Sequence, residues 1–309
     1  MGGAHGHHGH AHAAHAHGHG TRAFAAATLV NLAYAILEAG YGFATGSLVL
    51  LSDALHNFGD VLGLGLAWAA AVIARRPPTQ RHTYGWRRAT LLSPLANALV
   101  LVGFSGALAW EALRRLHEPP AIPPLTVMAV AALGIAVNLF GAWLLHEGRQ
   151  HDLNRRGAFL HLIADAAVSL AAVLAGIGMW RLGWYWLDPV TALLVGAVVA
   201  AGAFALLRES FAAAMDAVPR GVDPDAVRAF LLAQPGVEAV HHLHIWSLGA
   251  REVAMTAHLV RPDGGDHDAF IDAINDALDA RFGINHPTLQ VEHGAACAHD
   301  RHDRAPHAH

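Results

Sequence analysis

Six apolar runs, each about 20 residues long, fill the first two thirds of this chain. A segment of that length reaches across the hydrocarbon of a bilayer, where no water satisfies the backbone. Each run must then close its own hydrogen bonds as a helix. The runs fall near Ala23–Thr45, Leu48–Ala74, Ala89–Leu113, Pro123–His146, Gly157–Trp180 and Trp186–Leu207. Composition agrees: charged residues make up 14% of the 309 residues, against about 25% in ordinary soluble domains. The expected fold class is therefore an all-α six-helix membrane domain over residues 23–210.

The connections are short, and Gly46-Ser47 leaves room only for a tight hairpin. All 20 basic residues are arginine, and their placement sets orientation. Arg75, Arg76, Arg81, Arg87 and Arg88 follow the second run; Arg149, Arg155 and Arg156 follow the fourth. Arg114, Arg115 and Arg181 lie on the other side. Both termini are thus expected in the cytoplasm. Arginine without lysine and an Ala-rich composition suit a bacterial inner membrane. Trp110, Trp143, Trp180, Trp184 and Trp186 stand near span ends, where aromatic belts form. No Arg-rich stripe with interleaved aromatics indicates a nucleic acid partner. Cys297 is the single cysteine, so neither an intrachain disulfide nor a CxxC site is available.

Beyond about Met215 charged residues return and the pattern becomes that of a small soluble domain over residues 211–294. Asp223-Pro224 opens a helix, as an acidic N-cap and a first-turn proline. Val237–Ser247 and Glu252–Val260 read as strands, His267–Phe282 as a helix and Thr288–His293 as a last strand. The order is αββαβ. A core this small is thin, which favours dimerisation through one face. Residues 1–22 and 295–309 are histidine-rich tracts that build no core and are expected to be disordered. They suit weak, fast metal collection. The N-terminal tract has neither the basic region nor the cleavage site of a signal peptide.

Ionisable groups inside the apolar runs carry the chemistry. His56 and Asp60 stand four apart in the second run, and His161 and Asp165 repeat the pattern in the fifth. Four apart on a helix is one face, and ionisable side chains at membrane depth usually mark an ion path. Two such faces offer two imidazoles and two carboxylates, a closed tetrahedral shell for Zn²⁺. Protons compete for the same donor atoms, and an unperturbed imidazole titrates near 6.5. Zn²⁺ can therefore be exchanged for H⁺ near neutral pH. Asp53, Asn57, Asn138 and Glu38 are further polar residues within runs, read as helix-packing or supporting groups. An HExxH motif is lacking, and no free carboxylate beside an open metal position is visible, which argues against a membrane metallohydrolase. The alternative to transport is a membrane-bound zinc sensor without flux.

Several stretches together resemble the cation diffusion facilitator family of zinc transporters. TGSLVLLSDALHNFGDVLGLG at 45–65 is similar to the family's second-helix signature. HxxxD in the fifth run, RRPPTQRHTYGWRRA at 75–89, Asp188-Pro189 and VHHLHIWSL at 240–248 match as well. The resemblance covers about Ala23 to His293. It implies a homodimeric metal/H⁺ antiporter in lipid, with six spans and a ferredoxin-like cytoplasmic domain, involved in cation efflux and metal resistance. By it, His56, Asp60, His161 and Asp165 form the transport site of the zinc-preferring branch. It also implies that His241, His258 and Glu292 bind zinc in the cytoplasmic domain, as a structural or regulatory ion. Strand alternation puts His242 and His244 on the face opposite His241, as core or interface residues. A further site that some relatives carry in the arginine-rich connection is not expected here, because Thr79 and Trp86 flank His82.

Overall fold

A computed structural model describes residues 13–146, 153–262 and 267–294, with side chains described from Leu29 onward and, in the second stretch, from Arg155. Expectations for the outermost tails lie outside these residues. Six long helices come first: α1 (Ala13–Thr45), α2 (Leu48–Ala74), α3 (Ala89–Arg115), α4 (Pro124–His146), α5 (Leu153–Leu182) and α6 (Leu187–Ala214). Five of them, α2 to α6, are long and apolar enough to cross a membrane. Several run past the apolar segments that announced them. α1 begins within the His-rich tract and α6 continues past Leu207. The apolar run marks the hydrocarbon, not the helix, and Ala, Arg and Glu sustain a helix beyond it.

Burial in these helices is the reverse of that in a water-soluble protein. Phe43, Trp68 and Val198 are 78%, 72% and 72% exposed, whereas Glu38, Asp53, Asn57 and Asn138 are fully buried. Apolar side chains facing outward around a polar interior fit a lipid surround. Tyr34, Leu48, Val49, Leu50, Val127, Ala131, Ala172 and Met179 form the apolar part of the core.

The α1–α2 link is as tight as its sequence requires. Gly46 has φ +73°, a conformation glycine adopts freely and which commonly ends a helix. The start of α2 is capped from another helix. Asp188, at the head of α6, accepts from Ser47 Oγ at 2.6 Å, from Leu48 N at 2.8 Å and from Val49 N at 3.3 Å.

A second body combines the α2–α3 connection with the C-terminal α/β domain. That domain contains α7 (Pro224–Leu232), β1 (Ala239–Gly249), β2 (Glu252–Val260), α8 (His267–Phe282) and β3 (His286–Glu292). The αββαβ order is as expected, and Asp223 caps α7 by accepting from Asp225 N at 3.0 Å. The sheet order is β1-β2-β3, with β1 and β2 antiparallel and β2 and β3 parallel. β1 starts two positions later than its sequence pattern suggests because Val237 N bonds Gln234 O in a turn where Gly236 has φ +79°. Val227, Leu231, Met255, Leu259, Ile274 and Leu278 form the core between the sheet and the two helices. The connection from α2 is pinned to the β1–β2 hairpin: Arg87 pairs with Glu252 at 2.8 Å, and Ala250 N donates to Thr90 Oγ1 at 3.0 Å.

Candidate metal centres

α2 and α5 present their HxxxD faces to one another. His56 Nε2 lies 3.2 Å from Asp165 Oδ1, and the two imidazole centres are 5.5 Å apart. His161 Nε2 lies 2.8 Å from Asp60 Oδ2 and 3.5 Å from Asp165 Oδ2. His56, His161 and Asp165 place one donor atom each within 4.8 Å of one another. Asp60 is outside that tight group and joins it through His161. The four differ in access: the Asp165 side chain is 1% exposed, His56 26%, Asp60 39% and His161 42%. Two neutral imidazoles and two carboxylates are a donor set that suits Zn²⁺.

Around this group runs a buried polar network that the sequence reading only partly named. Ser169 Oγ donates to Asp53 Oδ2 at 3.0 Å, and Asn57 Nδ2 donates to the Asp53 carbonyl at 3.2 Å. Asn31 Nδ2 donates to Asn57 Oδ1 at 3.3 Å. Tyr34 donates to Glu38 Oε1 at 2.8 Å, with the Val130 carbonyl also within 3.3 Å. Asn31, Tyr34 and Ser169 were not singled out from sequence, yet a signal was present. Ser169 continues the stripe of His161 and Asp165 at the same four-residue step, and Asp53, His56, Asn57 and Asp60 line one face of α2. Asn138 is buried too, but among the described residues neither side-chain polar atom has a hydrogen-bond partner.

A second group lies in the α/β domain. His241 and His258 are direct cross-strand partners on β1 and β2. On the other side of β2, His258 pairs with Gln290, two positions before Glu292 on β3. Glu292 therefore faces the same way and reaches back to both histidines. Its Oε2 is 3.0 Å from His241 Nε2, and its Oε1 is 2.9 Å from His258 Nδ1. Burial pushes the Glu292 carboxyl upward, but hydrogen bonds to the two imidazoles and their charge outweigh it and hold it below its ordinary value. These three residues also bring donor atoms within 4.8 Å of one another.

Simple alternation fails at this point. Between the His241–His258 and His244–Thr256 pairs, His242 and Leu243 oppose Ala257 alone, which is a β-bulge. His242 takes φ +50°. Its ring ends beside His241, 5.2 Å centre to centre, not on the opposite face. His244 is exposed and not a core residue.

Comparison with known proteins agrees with this architecture. The family model described as the cation efflux transmembrane domain matches residues 24–213, and that of the cation efflux protein cytoplasmic domain matches 219–294. The chain is 36% identical over 274 residues to the zinc transporter ZitB of Escherichia coli, covering 87% of each. It is 34% identical over 272 residues to the metal cation efflux system protein CzcD of Cupriavidus metallidurans, covering 88% of this chain and 86% of that one. A cadmium, cobalt and zinc/H⁺-K⁺ antiporter of Bacillus velezensis is 32% identical over 272 residues, covering 86% of each.

Proposed function

The chain belongs to the cation efflux family, and from that premise we propose that it exports Zn²⁺ from the cytoplasm in exchange for protons. The observation that carries this reading is the meeting of two HxxxD faces on α2 and α5, with His161 in contact with both carboxylates. In this reading α1 supplies the sixth span, both termini face the cytoplasm of a bacterial cell, and the protein sits in its inner membrane. His56, Asp60, His161 and Asp165 hold the transported ion. Cd²⁺ and Co²⁺ are secondary substrates, in line with the name of the Bacillus relative.

The exchange follows from ligand chemistry. Zn²⁺ binds neutral imidazole and ionised carboxylate, so a proton that arrives on His56 or His161 removes a ligand. Opening the site alternately to each side lets Zn²⁺ load from the cytoplasm and lets protons displace it outside. Two copies joined by a ferredoxin-like cytoplasmic domain make the working unit. Zinc held there by His241, His258 and Glu292 stiffens the dimer or reports cytosolic zinc.

Purified protein in liposomes tests the exchange. An imposed proton gradient should drive Zn²⁺ uptake, and a protonophore should collapse it. Uptake that ignores the gradient would exclude proton coupling. Binding without any uptake would point to a sensor.

His56 also sets the metal preference in this reading. Some relatives carry aspartate at the matching position, and His56→Asp exchanges a nitrogen donor for an oxygen. The variant should gain Cd²⁺ transport relative to Zn²⁺. Its pH dependence should move acidward, because a group titrating near 6.5 gives way to one near 3.9. Zn²⁺ and Cd²⁺ uptake across about pH 5.5 to 8 would check both parts. Unchanged metal ratios and pH profiles would remove His56 from selection and coupling.

A further inference from the structure

The bulge in β1 breaks the alternation of a strand that is otherwise regular from Ala239 to Ser247. It does so at a histidine, and it puts that histidine in the left-handed region at φ +50°. A residue with a side chain is costly there, and such conformations cluster at binding and catalytic sites. The outcome of the distortion is specific. The His242 ring is 4.9 Å from that of His258 and 5.2 Å from that of His241, while His241 and His258 are 5.1 Å apart. The three rings thus form a nearly equilateral triangle. Two imidazoles bound end-on to one tetrahedral Zn²⁺ at about 2.0–2.1 Å also have ring centres roughly 5 Å apart. All three edges match that spacing. The next pair in the strand, His242 and His244, is 6.5 Å apart and His244 is exposed.

We propose that His242 is the fourth ligand of the cytoplasmic metal site, completing a His₃Glu shell with His241, His258 and Glu292 within a single subunit. The proposal rests on the reading that these last three residues bind zinc. Glu292 already approaches His241 Nε2 and His258 Nδ1, and His242 stands at ligand spacing from both rings. Its own nitrogens are outside the group of donor atoms that lie within 4.8 Å of one another, so ligation requires a turn about its side-chain bonds. A shell of four protein donors leaves no open position, so the site is of the closed, structural kind. The bulge is what makes this possible, since without it His242 would lie on the other face of the sheet.

Cobalt absorption of the full-length protein tests the assignment. His56→Ala and His161→Ala together silence the membrane site, so intense visible Co²⁺ bands report a four-coordinate cytoplasmic site. Difference spectra against the same protein with His241→Ala subtract whatever the terminal histidines contribute. The informative variant is His242→Gly, because glycine accepts φ +50° and any loss is then not due to backbone strain. Its cobalt bands should weaken as water replaces the ligand, and its zinc affinity should fall by at least about tenfold. If His242→Gly keeps both band intensity and affinity while His241→Ala loses them, His242 is not a ligand and the proposal is overturned. If the silenced protein shows no four-coordinate cobalt even with all three histidines present, the underlying three-residue site is wrong and the proposal falls with it.

Discussion

His161→Ala is expected to reduce zinc flux by roughly 100-fold or more while leaving the protein folded. His161 touches both carboxylates of the membrane group, at 2.8 Å from Asp60 and 3.5 Å from Asp165. Truncation removes a nitrogen donor and leaves Asp60 without its link to the other two. The side chain is 42% exposed, so its truncation removes little buried volume. The variant should therefore elute with the wild type on size exclusion and melt at a similar temperature. Zinc uptake in liposomes provides the decisive measurement. Normal transport by His161→Ala would remove the four-residue site altogether. Lost transport with lost folding would be resolved by His161→Gln, which keeps a polar side chain near Asp60 and should still fail to transport.

The largest expected effect on stability belongs to a residue that is part of neither metal group. Asp188 is 2% exposed and binds Ser47 Oγ, Leu48 N and Val49 N, all of which belong to fully buried residues at the head of α2. The first turn of a helix leaves N–H groups without partners, and a carboxylate is favoured there by the helix dipole. Asp188→Ala leaves these buried donors unpaired. Hydrogen bonds to charged groups contribute about 1.5–3 kcal/mol each and unmade buried ones cost a similar amount. A net loss of about 3 kcal/mol or more is expected, enough to deplete the folded protein from membranes. Asp188→Asn retains an acceptor and should lose less. Unfolding in detergent would rank the three proteins, and equal stability of the alanine variant would refute the cap. This link is part of why Asp188-Pro189 opens α6: the aspartate holds the start of one helix to the start of another.

The membrane helices and both HxxxD faces were legible because their signals are local. Apolar length announces a span, and a four-residue step puts two ligands on one face wherever the helix is placed. Which partner each of these side chains meets was not local. That Asp60 contacts His161, and that Asp165 lies between both histidines, depends on how α2 packs on α5. The β1 bulge was illegible for a different reason. Alternation assumes an unbroken register, and a bulge is set by the strand across from it, here by Ala257 facing two residues. Nothing in VHHLHIWSL marks His242 as the residue that leaves the pleat. Helix ends were overrun for a third reason: hydropathy reports where the solvent changes, whereas α1 and α6 end where their backbone geometry does.

The buried network also dictates an order of assembly during synthesis. α1 and α2 are synthesised as a hairpin joined by Gly46-Ser47, carrying Glu38 and Asp53. Tyr34 meets Glu38 at once, since both are on α1. Asp53 must wait for Ser169, which arrives with α5, and the backbone donors at the head of α2 wait for Asp188 on α6. A charge without its partner is expensive in lipid. The nascent hairpin therefore stays incompletely paired until the last helices arrive. A chain that stops after α4 lacks both Ser169 and Asp188 and leaves these polar groups without those partners, whereas the finished one pairs and buries them.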